Sequence, residues 1–195
     1  MKAVHDYIIE INEKFKDHIT LKSGDKLFVD KNFTFHQNAN VLHTIKETPI
    51  VNPLNIEKGT EVVIDPIIMH DFLDQDGTKV MSGNQLLINQ NLFKLSQRNI
   101  YFFKDKETQT YFSPNDYILA KKIETEQVKS SIIFIPESTT KQFEKHKVVL
   151  HSSSLTNNNL TKGTIATTDI ELGAPFYINE EEFLLFREKH FFAIN

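Results

Sequence analysis

Residues 116–139 read DYILAKKIETEQVKSSIIFIPEST, and three kinds of sequence follow one another in this stretch. The first part, DYILAKKI, is rich in the β-branched and aromatic residues that favour strands. A polar and charged segment follows, and it leads to the apolar triplet Ile132-Ile133-Phe134 before the turn-forming Pro136. The pattern predicts a strand, a polar connection that ends in an apolar triplet, and a turn.

The N-terminal half of the chain repeats this order. Residues 6–11 read DYIIEI, and a polar stretch leads from them to a second apolar triplet, Leu27-Phe28-Val29. In both halves another polar stretch, another apolar strand and the tripeptide Lys-Gly-Thr follow the triplet. Because these features recur in the same order, the sequence predicts an internal duplication.

Short strands are predicted along most of the chain. The apolar runs contain β-branched or aromatic residues, and polar clusters such as KSGD and SPND bound them. No strong amphipathic helix pattern separates the runs, so the sequence favours a mainly β small barrel or sandwich over βαβ units. Segment 84–98 is the one helix candidate, although its Asn and Gln residues disfavour a helix.

Two polar segments are predicted to connect strands. Asp76-Gly77 fits a tight turn. Residues 152–159 read SSSLTNNN, and this almost entirely polar composition predicts an exposed loop.

The composition is that of an ordinary globular protein. Of the 195 residues, 39% are hydrophobic and 25% are charged, so the chain can bury a core. Its net charge of −4 gives no general attraction to nucleic acid or acidic membranes. It has no cysteine, which excludes disulfides and thiolate metal sites, and no apolar run long enough to span a bilayer. With no recognisable signal peptide, we expect a soluble, cytoplasmic protein.

The order of these segments resembles that of co-chaperonin subunits of the GroES (chaperonin-10) family. The second half is the closer match, since residues 116–139 are similar to the family's first strand, mobile loop, apolar triplet and Pro-acid turn. Residues 160–195, which include Gly163, Gly173 and the segment FLLFRE, resemble the family's C-terminal half. In the first half, AVHDYIIEI resembles the family's N-terminus and NPLNIEKGTEVVID its central segment.

The resemblance implies a fold class and a domain division. We expect a mainly β chain of two tandem GroES-like small β-barrels. The first domain would cover residues 1–115, with an insertion at about 71–100, and the second would cover residues 116–195. By the resemblance, the strand near 116–123 is both the last strand of the first copy and the first strand of the second, so one strand would serve both.

The resemblance also implies how copies of the chain would associate. In the family, first and last strands pair between neighbouring subunits. In a tandem chain one such junction becomes covalent, which would leave residues 7–11 and 191–194 as open edges for neighbouring chains. We therefore expect a homo-oligomeric ring.

The function implied by the resemblance is that of a co-chaperonin. Such a protein caps a large ATP-dependent chaperonin ring of the GroEL type through its mobile loop and assists protein folding. The expected partner-binding residues are those of the two triplets: Ile132, Ile133, Phe134, Leu27, Phe28 and Val29. The nucleotide would belong to the partner, because this chain has no glycine-rich phosphate loop. No enzyme activity, cofactor or metal ion is expected.

Each triplet has an alternative interpretation as part of a buried strand, which is the usual place for apolar triplets in β proteins. The position relative to the family's other landmarks favours partner binding for the triplet at 132–134. For the triplet at 27–29 the two interpretations are balanced. Where the family has glycines before the triplet, this chain has serine or charged residues, which reduces the expected loop flexibility.

Other functional sites fit the sequence poorly. The eight histidines show no HExxH pairing. Residues 71–79 resemble a calcium loop, but the EF-hand pattern would place Phe72 and Gly83 at ligand positions. A zinc-dependent dehydrogenase with a GroES-like domain would need a dinucleotide-binding domain with a GxGxxG turn, which the chain lacks.

A structural role is the remaining alternative. The same fold could serve as a virion or assembly component that has no chaperonin partner. The Lys-, Asn- and Ile-rich composition suggests a phage-encoded protein that acts in the host cytoplasm.

Overall fold

The computed structural model describes most of the chain. The described residues are 3–15, 18–20, 26–28, 39–70, 72–73, 76, 79–80, 84–86, 89–124, 143–179 and 181–194. In these ranges the chain forms eighteen β-strands and four short 3₁₀ helices, and no α-helix. The prediction of a mainly β protein is confirmed. No helix of the described ranges has the length and apolarity needed to cross a lipid bilayer.

The first part of the chain supplies eleven strands. They are β1 (Tyr7–Glu10), β2 (His18–Thr20), β3 (Lys26–Phe28), β4 (Leu42–Glu47), β5 (Glu61–Ile64), β6 (Phe72–Leu73), β7 (Lys79–Val80), β8 (Gln85–Leu86), β9 (Asn89–Leu95), β10 (Ile100–Lys104) and β11 (Tyr111–Ser113). A 3₁₀ helix at Pro66–Met69 follows β5, and another at Gln97–Asn99 precedes β10.

The second part supplies seven strands. They are β12 (Tyr117–Glu124), β13 (Phe143–Leu150), β14 (Ser152–Ser154), β15 (Ile165–Thr168), β16 (Ala174–Ile178), β17 (Glu181–Arg187) and β18 (Phe191–Ile194). A 3₁₀ helix at Ile170–Leu172 follows β15, and another at Glu188–His190 precedes β18.

Most strands belong to two large sheets. The eight-stranded sheet has the order β14-β11-β10-β5-β4-β1-β9-β8, and the six-stranded sheet has the order β16-β17-β12-β13-β15-β18. Two small hairpins, β2–β3 and β6–β7, lie outside these sheets. In the described residues the end strands of each large sheet do not pair with each other, so neither sheet closes into a barrel.

The two sheets contain the same arrangement of six strands. In sequence order, the strands of the first set are β1, β4, β5, β8, β9 and β10. In the sheet they lie side by side in the order β8-β9-β1-β4-β5-β10. In sequence order, the strands of the second set are β12, β13, β15, β16, β17 and β18. Their order in the sheet is β16-β17-β12-β13-β15-β18, so each strand takes the same place as its counterpart in the first set. Every neighbouring pair within both sets is antiparallel. Each of the two sets is called a repeat below.

The Lys-Gly-Thr tripeptides form the same turn in the two repeats. Gly59 and Gly163 have φ angles of 85° and 90°, a left-handed conformation that favours glycine. The Gly59 N–H donates to the carbonyl oxygen of Ile45, and the Gly163 N–H donates to that of Leu150, both at 2.8 Å. The tripeptide therefore has the same role in both repeats, since its glycine forms the turn before β5 in the first and before β15 in the second.

Segment 84–98 is not a helix, so that candidate is wrong. It forms β8, β9 and the start of a 3₁₀ helix. Phe93 and Leu95 are fully buried whereas Lys94 between them is exposed, which is the two-residue period of a strand. Since β8, β9 and β10 correspond to β16, β17 and β18, the segment without a counterpart is the shorter one between Met69 and β8. It contains the hairpin β6–β7, with Asp76 in a turn between the two strands.

Residues 7–11 do not form an open edge, so that prediction is wrong. Strand β1 lies inside the eight-stranded sheet, between β4 and β9. Strand β9 covers the edge because its alternating apolar residues continue the buried face of β1. Pairing on both sides leaves β1 no edge to offer to another chain.

Residues 152–159 do not form an exposed loop throughout, which corrects a third prediction. Ser152, Ser153 and Ser154 form β14 and are buried, with exposed fractions of 0%, 6% and 6%. The polar composition misled the prediction because each hydroxyl has a hydrogen-bond partner inside the protein.

In the part of the chain that the structure describes, two hydrophobic clusters form the core, and β12 contributes to both. Leu119 belongs to the larger cluster and Tyr117 packs against it, together with residues of the first repeat. Ile118 and Ala120, on the opposite face of the strand, belong to the smaller cluster of the second repeat. The alternation of side chains along one strand therefore links the two cores.

Candidate partner-binding surfaces

The structure describes only part of the two predicted triplets. Leu27 and Phe28 lie in β3, which pairs with β2 in an antiparallel hairpin, with Ile19 opposite Leu27. Val29 and the triplet Ile132-Ile133-Phe134 lie outside the described residues. Partner binding by either triplet stays a prediction.

Both triplets belong to connections that leave and re-enter the fold at paired residues. In the first repeat, Phe15 and Ala39 form an antiparallel bridge, and the Asn40 N–H donates to the Lys14 carbonyl oxygen at 2.9 Å. In the second repeat, Glu124 at the end of β12 pairs with Phe143 at the start of β13. Each of the segments 16–38 and 125–142 therefore starts and finishes at residues that are adjacent in the fold.

A charged and aromatic surface surrounds the base of the second connection. Lys122 Nζ lies 5.6 Å from the ring centre of Phe143, and Lys121 Nζ lies 4.8 Å from that of Phe183. Lys121 also forms an ion pair with Glu181, and this hydrogen bond lowers the pKa of the Glu181 carboxyl. A depression of about 260 Å³ is bordered by Lys121, Lys122, Phe143 and Phe183. The cation–π contacts and the ion pair hold the side chains around the base of the connection in place.

The two repeats are joined by a strand pairing that sequence analysis missed. Strand β11 pairs with β10 of the first repeat on one side and, in parallel, with β14 on the other. Ser152 Oγ accepts a hydrogen bond from the Leu119 N–H at 2.9 Å, and Ser153 Oγ accepts one from the Lys162 N–H at 2.9 Å. Ser154 Oγ donates to the Glu188 carboxylate. We call the contact of β10, β11 and β14 the internal joint.

Aromatic residues from both repeats pack beside the internal joint. Tyr101 of β10 is 8% exposed, and its ring centre lies 4.6 Å from that of Tyr117 and 5.7 Å from that of Phe176. Burial, with the Asp65 carboxylate nearby, raises the pKa of the Tyr101 hydroxyl far above its usual range. The hydroxyl therefore stays protonated and uncharged inside the joint.

Arg187 closes this aromatic group toward solvent. Its guanidinium carbon lies 3.7 Å from the ring centre of Tyr117, and one guanidinium nitrogen donates to the Tyr117 hydroxyl at 2.5 Å. The other nitrogen donates to the Asp116 carboxylate at 2.5 Å. Arg187 thus holds the start of β12 against the end of β17 by stacking and by charge-assisted bonds.

Strand β18 ends the six-stranded sheet. It pairs with β15 on one side, and no described strand lies on its other side. Phe192 is 71% exposed and Ile194 is 42% exposed. Among the described strands, β18 therefore forms an apolar edge with a partner on one side only, which is the form of edge that natural proteins usually protect.

Two comparisons with known proteins found no relative. No protein-family model matches the chain, and no curated protein shows significant similarity to it. The resemblance to co-chaperonins consequently stays a prediction.

Proposed function

We propose that the chain is a tandem co-chaperonin of the GroES type. It caps a large, ATP-driven chaperonin ring of the GroEL class and assists protein folding, and it performs no covalent chemistry itself. The nucleotide is bound by the partner. The proposal includes a ring built from several copies of the chain, in the host cytoplasm if the source is viral.

One observation carries this proposal, which is the common position of the two long connections. Residues 16–38 lie between β1 and β4, and residues 125–142 lie between β12 and β13. These strand pairs take the same place in the two repeats, and each connection leaves and returns at paired residues. A loop rooted in a rigid sheet and carrying an apolar triplet is suited to present that triplet to a groove on a partner.

The repeated strand order supports the finer description of the fold. We propose that each repeat is a divergent GroES-like unit derived from a small β-barrel. Strand β12 serves both units in this description, because its alternate side chains enter the two hydrophobic clusters. The serine strand β14 and β11 then tie the units together.

The energetics favour many weak loops over one strong one. Fully burying an Ile or Phe side chain is worth about 1.5–3 kcal/mol, so a triplet contributes roughly 4.5–9 kcal/mol before costs. Ordering a flexible loop takes back a few kcal/mol of this gain. A single loop therefore binds weakly, whereas a ring of loops on a ring of grooves binds firmly and still releases.

Binding to a purified chaperonin ring, with and without ATP, tests the proposal. We expect nucleotide-dependent binding by the wild type and loss of that binding in Ile133→Asp. The matched control is Ile50→Asp, which adds the same charge to a residue that is 72% exposed outside both long connections. Circular dichroism verifies that both variants fold. Equal binding by Ile133→Asp and the wild type would show that the second triplet is not part of the contact. Absence of binding by both the wild type and the variants would contradict the co-chaperonin function.

The open edge of β18 also favours a second candidate function. An exposed apolar edge suits stable self-assembly, as in a virion or assembly component that keeps this fold without a chaperonin. This alternative predicts stable assemblies in the absence of any chaperonin, together with no nucleotide-dependent binding to the ring.

A further inference from the structure

The face of the six-stranded sheet that points away from the smaller hydrophobic cluster carries basic side chains around an aliphatic centre. Val149 of β13 pairs with Lys121 of β12 and with Ile165 of β15, so these three side chains lie in one row on this face. The ring centre of His151 lies 4.8 Å from that of Phe183, over which Lys121 Nζ also lies. We call this surface the basic face, and it consists of Lys121, Lys147, Val149, His151, Lys162 and Ile165.

Two exposed lysines complete the basic face. Lys147 precedes Val149 by two residues on β13, so the alternation of strand side chains places it on the same face. Lys162 belongs to the Lys-Gly-Thr turn before β15. Burial lowers the pKa of the His151 imidazole, and the nearby charges of Lys121 and Lys162 lower it further. The basic side chains are therefore close enough to act on one another.

Positive charge predominates on the basic face. Lys121 forms an ion pair with Glu181. Within the described ranges, neither Lys147 nor Lys162 forms an ion pair with an acidic side chain. The chain as a whole has a net charge of −4, so these unpaired lysines form a local positive patch on an otherwise acidic protein.

The corresponding positions of the first repeat are charge-neutralised. The matching turns and strand pairs align the repeats, and the counterparts of Lys121, Val149, His151, Lys162 and Ile165 are Glu10, Thr44, Lys46, Lys58 and Glu61, respectively. Lys46 pairs with Glu10 at 2.6 Å, and Lys58 pairs with Glu47 at 2.7 Å. Because the first repeat forms the same strand arrangement with paired charges and a polar centre, the basic face is not required by the fold.

The spacing of the basic face matches that of an extended peptide. Along β13 the side chains of Lys147, Val149 and His151 follow one another at intervals of about 6.6 Å, which is the length of two strand residues. Every second side chain of an extended segment has the same spacing. Such a segment can place one carboxylate beside Lys147, an aliphatic side chain on Val149, and another carboxylate beside His151 and Lys162.

We propose that the basic face binds an extended acidic segment of a partner protein, in which an aliphatic side chain lies between carboxylates at every second position. Complementary charge selects the acidic segment, and the 40% exposed Ile165 beside Val149 selects its aliphatic residue. Nucleic acid fits this face less well, because Phe183 is only 3% exposed and cannot stack on a base. This contact is separate from the proposed chaperonin contact through the triplets, so either can fail alone.

Titration of the isotope-labelled protein with two blocked nonapeptides, followed by NMR, gives the first test. The first peptide has leucine at position five, aspartate at positions one, three, seven and nine, and serine elsewhere. The second exchanges aspartate and serine, so its composition and charge are the same but its carboxylates point away from the leucine side. We expect saturable shifts of basic-face amides with the first peptide at a Kd of roughly 0.1–1 mM, and binding of the second that is about fivefold weaker or more. Equal binding of the two peptides, or no shifts up to about 5 mM of the first, overturns the proposal.

Substitutions at matched positions of the two repeats locate the contact. Lys162→Glu replaces attraction by repulsion, and we expect it to weaken binding of the first peptide by about tenfold. The control is Lys58→Glu, which makes the same change in the corresponding turn of the first repeat and leaves binding unchanged. Ile165→Thr keeps a β-branched residue but removes aliphatic surface, so we expect binding to weaken by about threefold or more. Wild-type affinity of Lys162→Glu or Ile165→Thr, with a folded amide spectrum, overturns the proposed face.

The titration of His151 reports directly on the position of the peptide. A carboxylate beside the ring favours the charged imidazolium, so we expect the bound first peptide to raise the pKa of His151. The ring proton shifts of His151, followed against pH with and without peptide, measure this change. An unchanged pKa in the saturated complex would show that the peptide binds elsewhere and contradicts the proposal.

Two further titrations distinguish the acidic segment from other occupants of the basic face. Oligothymidylate is expected to shift the basic-face amides only at higher concentration than the first peptide does. Tighter binding of the oligonucleotide would identify a nucleic-acid surface and overturn the proposal. Shifts of the same amides on raising the concentration of the protein alone would identify a contact between copies of the chain, which equally overturns it.

Discussion

Substitution of Ser152 by alanine should loosen the link between the two repeats. Ser152 is fully buried, and its Oγ accepts the Leu119 N–H at 2.9 Å. Leu119 belongs to the hydrophobic cluster that contains residues of both repeats. Alanine fits the space but removes the acceptor, so a buried backbone N–H loses its partner.

An unsatisfied buried donor costs about 1–3 kcal/mol, and we expect the free energy of unfolding to fall by that amount. For a protein of this size, 1 kcal/mol shifts Tm by roughly 2–4 °C, so Tm should fall by about 2–12 °C. The matched control is Thr161→Ala, which deletes an exposed hydroxyl whose partner is the exposed Thr164 hydroxyl. Surface changes of this kind stay within about 0.5 kcal/mol.

Urea unfolding followed by far-ultraviolet circular dichroism and by tyrosine fluorescence measures the effect. The chain contains no tryptophan, and Tyr101, Tyr111 and Tyr117 lie at or beside the internal joint, so tyrosine emission reports on that region. We expect both signals of the wild type to change in one transition because the repeats share a core. If Ser152→Ala is as stable as Thr161→Ala, Leu119 N–H has another acceptor and the argument for β14 fails. Two separate transitions in the wild type would show that the shared core does not couple the repeats.

Two further changes test local features. In Gly173→Ala the new Cβ would lie 2.5 Å from Cζ of the buried Phe186, and we expect the free energy of unfolding to fall by about 1–3 kcal/mol. Urea unfolding measures this change, and an unchanged free energy would show that Phe186 moves aside without cost. Burial lowers the pKa of His43. Below about pH 6.5 the imidazole of the unfolded chain therefore takes up a proton that the folded chain does not bind. The free energy of unfolding consequently falls as the pH drops below about 6.5. Because His151 also has a pKa lowered by burial, His43→Gln should flatten the stability profile between pH 7 and 5 only in part, and an unchanged profile would refute the assignment.

The sequence allowed about half of the strands to be predicted and showed the recurring Lys-Gly-Thr tripeptide, because both signals are local. The runs YIIE, EVVI and EEFLLFR carry β-branched and aromatic residues over a few positions, and the structure forms strands there. Gly59 and Gly163 stand out because a positive φ angle strongly restricts the residue type. Such features need no knowledge of the rest of the fold.

The internal joint could not be predicted, because it depends on contacts distant in sequence. Ser152, Ser153 and Ser154 have the composition of a loop, and only the pairing with β11 and the partners of their hydroxyls make burial favourable. Tyr101 resembles any other strand residue until Phe176 and Tyr117 are brought beside it. The helix candidate at 84–98 failed for a related reason, since the pairing of β9 with β1 overrides weak local preference.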